Sequence, residues 1–472
     1  MAFDSLTFAG FIVVLFSLVA MTRGWRARKL ELLAASYLFY AAWNPVFIIL
    51  LLGSTVIDWH AARRLHASQE ASSRRLWLLV SLVVNLGLLG WFKYADFMIA
   101  NFNAALAGLG FGAAFRAPAL DLVLPIGISF YTFQTLSYTI DVYRRRIEPG
   151  TRFSDYALYV SFFPQLVAGP IVRYSEFIGQ LNEPQRIRAS DVEHGAAWII
   201  GGLFLKTVLA DSLFAPVVDA GFASPGLLSG VSVWAALVSF SGQIYCDFAG
   251  YSLCAIGAAR LFGFRLPINF HLPYASIGFS DFWQRWHISL SSWIRDYLYI
   301  PLGGNRHGVT QTMRNLMLAM GLGGLWHGAA WTFVLWGLLH GLFLVVEHGI
   351  IRLWVSLRLP RGPLLGLLAG ALTFAAVSLS WVLFRAESLP QAVAFYQALS
   401  RFDSSSAPTT LASLALLAMA LLLAWHALLR KRLLSELYPR IPYMLRGLIV
   451  GVLLAAVLLS PGDDRAFIYF QF

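Results

Sequence analysis

The sequence predicts an all-α polytopic membrane protein, and three observations carry that prediction. Of 472 residues, 58% are hydrophobic and only 12% are charged, with a mean hydropathy of +0.67. A soluble chain carries roughly 25% charged residues, and a larger core does not relieve a surface of its need for charge, so a big soluble enzyme is set aside. Apolar runs of the length a spanning helix needs, ~20 residues, recur from one end of the chain to the other. The basic residues cluster in short loops between those runs, where topology signals sit.

The elements follow in order. The run near 8–22 comes after MAFDSL, with Asp4 and no Lys or Arg ahead of it, so it reads as a retained first span and not as a signal peptide. Further spans are expected near 30–43, 45–58, 76–92, 119–140, 195–215, 229–248, 331–350, 363–384, 410–428 and 443–460, making about eleven transmembrane helices. Shorter or Gly/Pro-broken apolar pieces at 96–112, 154–170, 250–263 and 312–326 are candidates for re-entrant or interfacial helices. Irregular backbone at membrane depth is tolerated only where protein or a water cavity surrounds it. Arg23, Arg26, Arg28 and Lys29, then Arg63, Arg64, Arg74 and Arg75, then Arg144, Arg145 and Arg146, and finally Arg430, Lys431 and Arg432 fill alternate loops. The positive-inside rule puts these in the cytoplasm. The N-terminus is then extracytoplasmic, and 93–118 makes no net crossing. The same rule accounts for the net charge of +11. Charge spread over short loops gives no support to nucleic-acid binding.

Cys246 and Cys254 lie in apolar segments with no CxxC spacing and read as structural thiols. No fixed-period repeat and no inverted pair of broken helices is visible. The longest polar stretches, 171–194 and 264–310, are too short to fold alone. The chain 1–472 is therefore treated as a single membrane domain with a catalytic core over about 121–348, and a Ser/Pro-containing loop, 401–409, separates two of its last spans.

An ionisable group at membrane depth is expensive and is a functional candidate by default. Three places qualify. In 279–306, FSDFWQRWHISLSSWIRDYLYIPLGGNR, Trp286, Leu290, Trp293 and Tyr297 recur at helical spacing, predicting an amphipathic helix. Asp281 and Arg285 form an i,i+4 pair, Ser280 or Asp281 is placed to cap the start, and the Pro301 stretch ends it. Two readings stand: a headgroup-level helix with His287 simply wetted, or a cavity-lining element. The second place, 323–341, GGLWHGAAWTFVLWGLLHG, holds three Trp, five Gly and two His without a formal charge. A neutral buried His327 suits a general base near pH 7. His340, thirteen residues on, sits about 220° away around an ideal helix. Position by itself leans toward a packing role for both. The glycines either let helices approach or let backbone bend beside a ligand. The third place joins 125–146 with 161–174, where Pro125, Pro164 and Pro170 break helical bonding and Gln134, Asp141, Gln165 and Arg173 are candidate cavity residues. Gln243, Tyr245 and Asp247 are similar polar residues in an apolar span. No Walker loop, GxSxG, HExxH or metal-spaced histidine pair appears, so no metal is expected.

The blocks DFWQRWHISLSSWIRDYLYIPLGGNR and NLMLAMGLGGLWHGAAWTFVLWGLLHG, with SFYTFQTLSYTIDVYR, FFPQLVAGPIVRY, INFHLPYASIGFSDFW and FIYFQF, resemble the membrane-bound O-acyltransferase (MBOAT) family. They are most similar to its bacterial alginate O-acetyltransferase-like branch, and the similarity runs over most of the chain. The resemblance implies a multi-helix fold with a central tunnel where a cytoplasmic acyl thioester meets an acceptor. It implies His327 as the catalytic histidine and His287 as the second polar position. Trp286, Arg295, Asp296, Asn305, Trp326, Gln134 and Gln243 are the accompanying candidates for substrate binding or the tunnel. Gln284 departs from the pattern, standing where FWRRWH would have Arg.

The implied reaction is an O-acetyl transfer. It uses acetyl-CoA as donor substrate, no bound cofactor, and an extracytoplasmic polysaccharide as the final acceptor. Because no segment could hold a glycan, a periplasmic SGNH-type acetyltransferase partner is implied, beside membrane lipids. A covalent acyl-His327 intermediate is equally compatible with the sequence. D-alanyl transfer from a carrier-protein thioester to teichoic acid, and a polysaccharide or lipid channel or flippase, are the competing readings. The expected setting is the bacterial inner membrane.

Overall fold

A computed structural model describes residues 1–111, 116–167, 169–358, 362–401, 408–460 and 465–468. Most of the 401–409 loop and the last four residues of FIYFQF lie outside the described residues. The described chain is helical, without a strand. Five helical runs are long and apolar enough to cross a bilayer: Ala71–Gly108, Ala189–Ala223, Trp331–Ser356, Pro363–Arg385 and Thr410–Leu429. Leu6–Met21 and Tyr443–Leu459 are shorter apolar helices. Their outward residues are the inverse of a soluble surface: Leu6, Met21, Leu428, Met444 and Leu459 are each more than 80% exposed, which suits lipid and not water.

Several boundaries differ from the hydropathy reading. The expected span 229–248 and the short piece 250–263 are one 32-residue helix, Gly230–Leu261. The 76–92 and 96–112 runs join through a π-helical turn, Gly90–Tyr94. The 119–140 run begins as irregular backbone. Its helix, Ile128–Tyr143, starts only after Pro125 and Gly127, the latter at φ +77°, because proline and a left-handed residue cannot extend a helix backwards.

The described chain divides into two compact units, Met1–Ala196 with Ala255–Pro267, and Ala197–Cys254 with Ile268–Phe472; two of the three divisions fall inside the helices Ala189–Leu203 and Gly230–Leu261. The first unit buries polar groups in pairs. Asp58 on Phe47–Ala67 accepts from Ser81 Oγ (2.6 Å) and Asn85 Nδ2 (2.9 Å) on Ala71–Leu89, and Thr135 Oγ1 on Ile128–Tyr143 donates to Asn85 (2.9 Å). Lys29, counted above among the loop charges, is instead buried against Asp155 at 2.7 Å, and Arg74 is buried against backbone carbonyls. These two basic residues are therefore internal braces.

The second unit is built on the antiparallel pair Val309–His327 and Trp331–Ser356. A Cβ on Gly324 would stand 2.3 Å from the Phe333 carbonyl oxygen and 2.9 Å from Gly337 Cα. One on Gly337 would stand 2.3 Å from the Met320 carbonyl oxygen. Between the two meanings open for these glycines, the structure selects close helix approach. Gly323 alone of the group also borders the cavity described below.

Candidate active site

His327 is the last residue of the Val309–His327 helix, 4% exposed, and Gly328 leaves the helix in an extended conformation. The turn is held by Phe333, whose ring would lie 2.2 Å from a Cβ on Gly328. Phe333 packs edge-on against Phe384 at 5.0 Å. Three aromatic rings box the imidazole: Trp326 at 5.0 Å, Trp336 at 5.1 Å and Phe384 at 5.4 Å between centroids. The helix thus ends at this imidazole, beside its last backbone carbonyls.

His287 comes from a segment that the sequence reads as one helix. The structure breaks it: Phe279–Trp283, then Ile288–Ile294, then a π-helical turn Arg295–Tyr299. Neither Ser280 nor Asp281 caps the start by a side-chain bond to the helix. Asp281 accepts from the Ile277 N–H (2.9 Å), and the Ser280 N–H donates to Glu347 (2.8 Å). His287 sits at the break with φ +43°, ψ +55°, a left-handed conformation unusual for a residue with a Cβ. Asn269 holds it there. The Ile288 N–H donates to the Asn269 carbonyl (2.9 Å), and Asn269 Oδ1 accepts from Ser289 Oγ (2.8 Å), the Ser289 N–H (3.4 Å) and His287 Nδ1 (3.1 Å). A backbone N–H is only a donor, so the Asn269 atom facing it is the oxygen. His287 must therefore carry its proton on Nδ1, which puts the lone pair on Nε2. Burial pushes this imidazole down to about 3, so it is neutral near pH 7. The wetted interfacial reading is thereby excluded for His287, which is fully buried.

The two imidazole centroids are 6.5 Å apart, a separation at which one reacting group can lie within ~3 Å of a nitrogen on each ring. His327 lines a cavity of about 500 Å³, within the size range of small-molecule sites. Trp283, Leu290, Ile294, Met320 and Trp336 give it apolar walls. Ser280, Gln284, Ser291, Ser292, Arg295 and Tyr299 supply its polar lining. No group of three or more potential metal ligands occurs among the described residues.

Of the residues singled out in the sequence, His327, His287, Trp326, Trp286, Arg295 and Asp296 come together in the second unit. Arg295 lines the cavity and bonds Asp296 at 2.7 Å. Trp326 lies 6.1 Å from His287. Trp286 is fully buried behind the site, against Phe282 and Trp381. Asn305 is on an exposed turn away from the cavity lining. Gln243 is in the second unit but not on that lining. Gln134 belongs to the first unit, fully buried, with neither side-chain polar atom hydrogen-bonded. His340 is fully buried and donates from Nε2 to Ser380 Oγ at 2.9 Å, because that hydroxyl spends its own proton on the Val377 carbonyl; this is the packing role. Asn269, Trp283, Trp336, Ser291 and Ser292 were not picked out. Asn269 lies in the INFHLP block, and its only signal was an Asn among apolar residues.

A helical membrane protein with a buried histidine on a cavity wall and a second 6.5 Å behind it defines the class: an integral-membrane enzyme. The profile described as MBOAT, membrane-bound O-acyltransferase family, matches residues 150–360. The chain is 40% identical over 391 residues to a peptidoglycan O-acetyltransferase of Helicobacter pylori, covering 77% of this chain and 72% of that one. It is 40% identical over 405 residues to the probable alginate O-acetylase AlgI of Pseudomonas aeruginosa, covering 86% and 76%. A teichoic acid D-alanyltransferase of Streptococcus thermophilus is 29% identical over 245 residues, 48% of this chain and 57% of that one. The chain belongs to the membrane-bound O-acyltransferase family and is an acyltransferase.

Proposed function

We propose that this enzyme moves an acetyl group from a cytoplasmic thioester, acetyl-CoA, for O-acetylation of an extracytoplasmic polysaccharide, with alginate, cellulose and peptidoglycan as the glycan classes to test. The observation that carries the reading is the pair His287 and His327, 6.5 Å apart, of which His287 has its tautomer fixed by Asn269. His287 is held neutral, and its Nε2 lone pair holds the acceptor O–H in the ground state until the hydroxyl turns its proton to His327. A neutral Nε2 of this tautomer cannot donate to an oxyanion, so His287 orients the acceptor and does not stabilise the oxyanion. His327, at the helix C-terminus, takes the hydroxyl proton as the oxygen attacks the thioester carbonyl carbon. As the C–S bond breaks, the proton passes to the departing sulfur, giving an ester and a free thiol.

The two O-acetylating relatives at 40% identity over most of the chain support acetyl over D-alanyl transfer, whose relative aligns with half of it. The basic loops support a bacterial inner-membrane setting with an extracytoplasmic N-terminus. Among the described residues the fold is membrane helices, which supports handing the acetyl group to a periplasmic SGNH-type partner. The test is transfer from labelled acetyl-CoA by purified protein and by a folded His327→Ala variant. Transfer in the first and none in the second is expected; retained transfer in the variant overturns the mechanism.

A further inference from the structure

Within the second unit, and apart from the cavity, lies a cluster of buried charges that the reaction does not use. Lys206 is 4% exposed in an eleven-residue π-helical stretch, Phe204–Phe214. Its ammonium is 2.7 Å from Asp247 Oδ1 and 2.9 Å from Asp211 Oδ1, and both aspartates are 3% exposed. It lies in one of the five spanning runs, Ala189–Ala223, where a charge is costly and usually kept for function. A π-helix is itself a frequent mark of function.

The crossing that brings these groups together has no slack. A Cβ on Gly250 would stand 2.6 Å from the Gly202 carbonyl oxygen and 3.0 Å from the Lys206 backbone nitrogen. The third partner of the lysine is the Arg465 carbonyl oxygen at 3.3 Å, and Asp247 Oδ2 accepts from the Ile468 N–H at 2.9 Å. Arg465 also pairs with Asp219, which bonds Arg385 at 3.1 Å. Three cations and three carboxylates thus neutralise one another around the short segment 465–468.

That segment leads back to the site. Phe467, 2% exposed, stacks on Tyr251 at 4.5 Å and packs on Phe248 at 5.7 Å. Phe248 presents itself edge-on to His287 at 4.7 Å and 90°. We infer that Lys206 is a positioning residue: with Asp247 it clamps 465–468, so that Phe467 backs Phe248 and Phe248 fixes the plane of the His287 ring. This rests on the acetyl-transfer reading for its kinetic half and is independent of it for its structural half. Displacing a catalytic group by ~1 Å costs on the order of a hundredfold in rate, which a loosened backing ring is able to do.

The test compares Lys206→Met, Lys206→Arg and Asp247→Asn in detergent-solubilised protein. Two readouts are used: hydrogen–deuterium exchange of the peptide containing Ile468, and kcat and KM for acetyl transfer from acetyl-CoA. Lys206→Met and Asp247→Asn are expected to speed exchange of 465–468 by about tenfold or more, reporting local opening. The same variants are expected to lower kcat by about tenfold to a hundredfold with KM for the thioester unchanged. Lys206→Arg, which keeps the charge, is expected to retain both. Unchanged exchange in folded Lys206→Met and Asp247→Asn overturns the clamp. Faster exchange with wild-type kcat overturns its link to His287. Should Lys206→Met not fold, Asp247→Asn decides alone. Should wild-type protein transfer no acetyl group, the functional reading fails while the exchange comparison still tests the clamp.

Discussion

Replacing Asn269 by alanine removes the acceptor on which the chemistry of His287 depends. Oδ1 takes the protons of Ser289 Oγ at 2.8 Å and His287 Nδ1 at 3.1 Å, with the Ser289 N–H farther off at 3.4 Å. Each buried donor left without an acceptor costs ~1–3 kcal/mol, so the two shorter bonds together set a loss of roughly 2–6 kcal/mol in stability. The catalytic effect is separate. Without Oδ1 nothing holds the proton on Nδ1, and the other tautomer presents an N–H where the acceptor hydroxyl needs a lone pair. Loss of a tautomer-fixing partner reaches ~10⁴ in a hydrolase triad. Here His287 orients and does not itself take the proton, so a fall of about a hundredfold in kcat is expected. Asn269→Asp keeps the acceptor, and its carboxylate raises the His287 pKa from about 3. Its activity should return at alkaline pH, with the acidic limb of the kcat profile moved upward. Acetyl transfer from labelled acetyl-CoA across pH, with thermal unfolding of each variant, makes the comparison. Wild-type kcat in folded Asn269→Ala, or equal loss in Asn269→Asp at every pH, refutes the tautomer argument.

Three further outcomes follow from the same geometry. Gly324→Ala forces a Cβ to 2.3 Å from the Phe333 carbonyl oxygen and 2.9 Å from Gly337 Cα; backbone cannot yield as a side chain does, so a loss of ~1–3 kcal/mol or more is expected, together with activity, since His327 is three residues along, and a wild-type unfolding temperature counts against it. His287 has a folded pKa of about 3 against an ordinary 6.5, so between those values the unfolded chain binds the extra proton. Its contribution is complete above pH 6.5 and declines as pH falls, by about 1.4 kcal/mol per pH unit. Unfolding temperatures of wild-type and His287→Asn should therefore converge toward acid, and parallel curves would contradict the assignment. Arg295 has a side chain 62% exposed at the cavity and pairs only with its neighbour Asp296 among the ion pairs described. Arg295→Ala should leave stability within ~1 kcal/mol and raise KM for the thioester about fivefold at constant kcat; a drop in kcat would place Arg295 nearer the chemistry.

The candidate site was legible as residue types but not as an arrangement. His327 and its glycines stood out because neutral and small residues at membrane depth are either packing or chemistry. Composition does not choose between those, so the choice came from the resemblance of whole blocks. The helix expected over 279–300 shows the limit. Trp286, Leu290, Trp293 and Tyr297 keep helical spacing, yet the backbone turns left-handed at His287, since Asn269, eighteen residues earlier, supplies bonds a continuous helix could not make. Nothing local marks Lys206 and Asp211, because one charge pair barely lowers the hydropathy of a long apolar run. Asp247 stands out as a polar residue in an apolar span, but the sequence does not show its partners.

What the sequence by itself determined is the solvent and the element type. A chain this apolar with so little charge needs lipid, and in lipid the backbone satisfies itself by forming helices. What only the tertiary structure decided is which polar groups meet. His287 and His327 are forty residues apart in the chain and 6.5 Å apart in space; Lys206 and Ile468 share one carboxylate across more than two hundred. Such encounters depend on helix crossings set by single glycines, where a difference of one methyl group moves backbone by ångströms, and no local pattern records them.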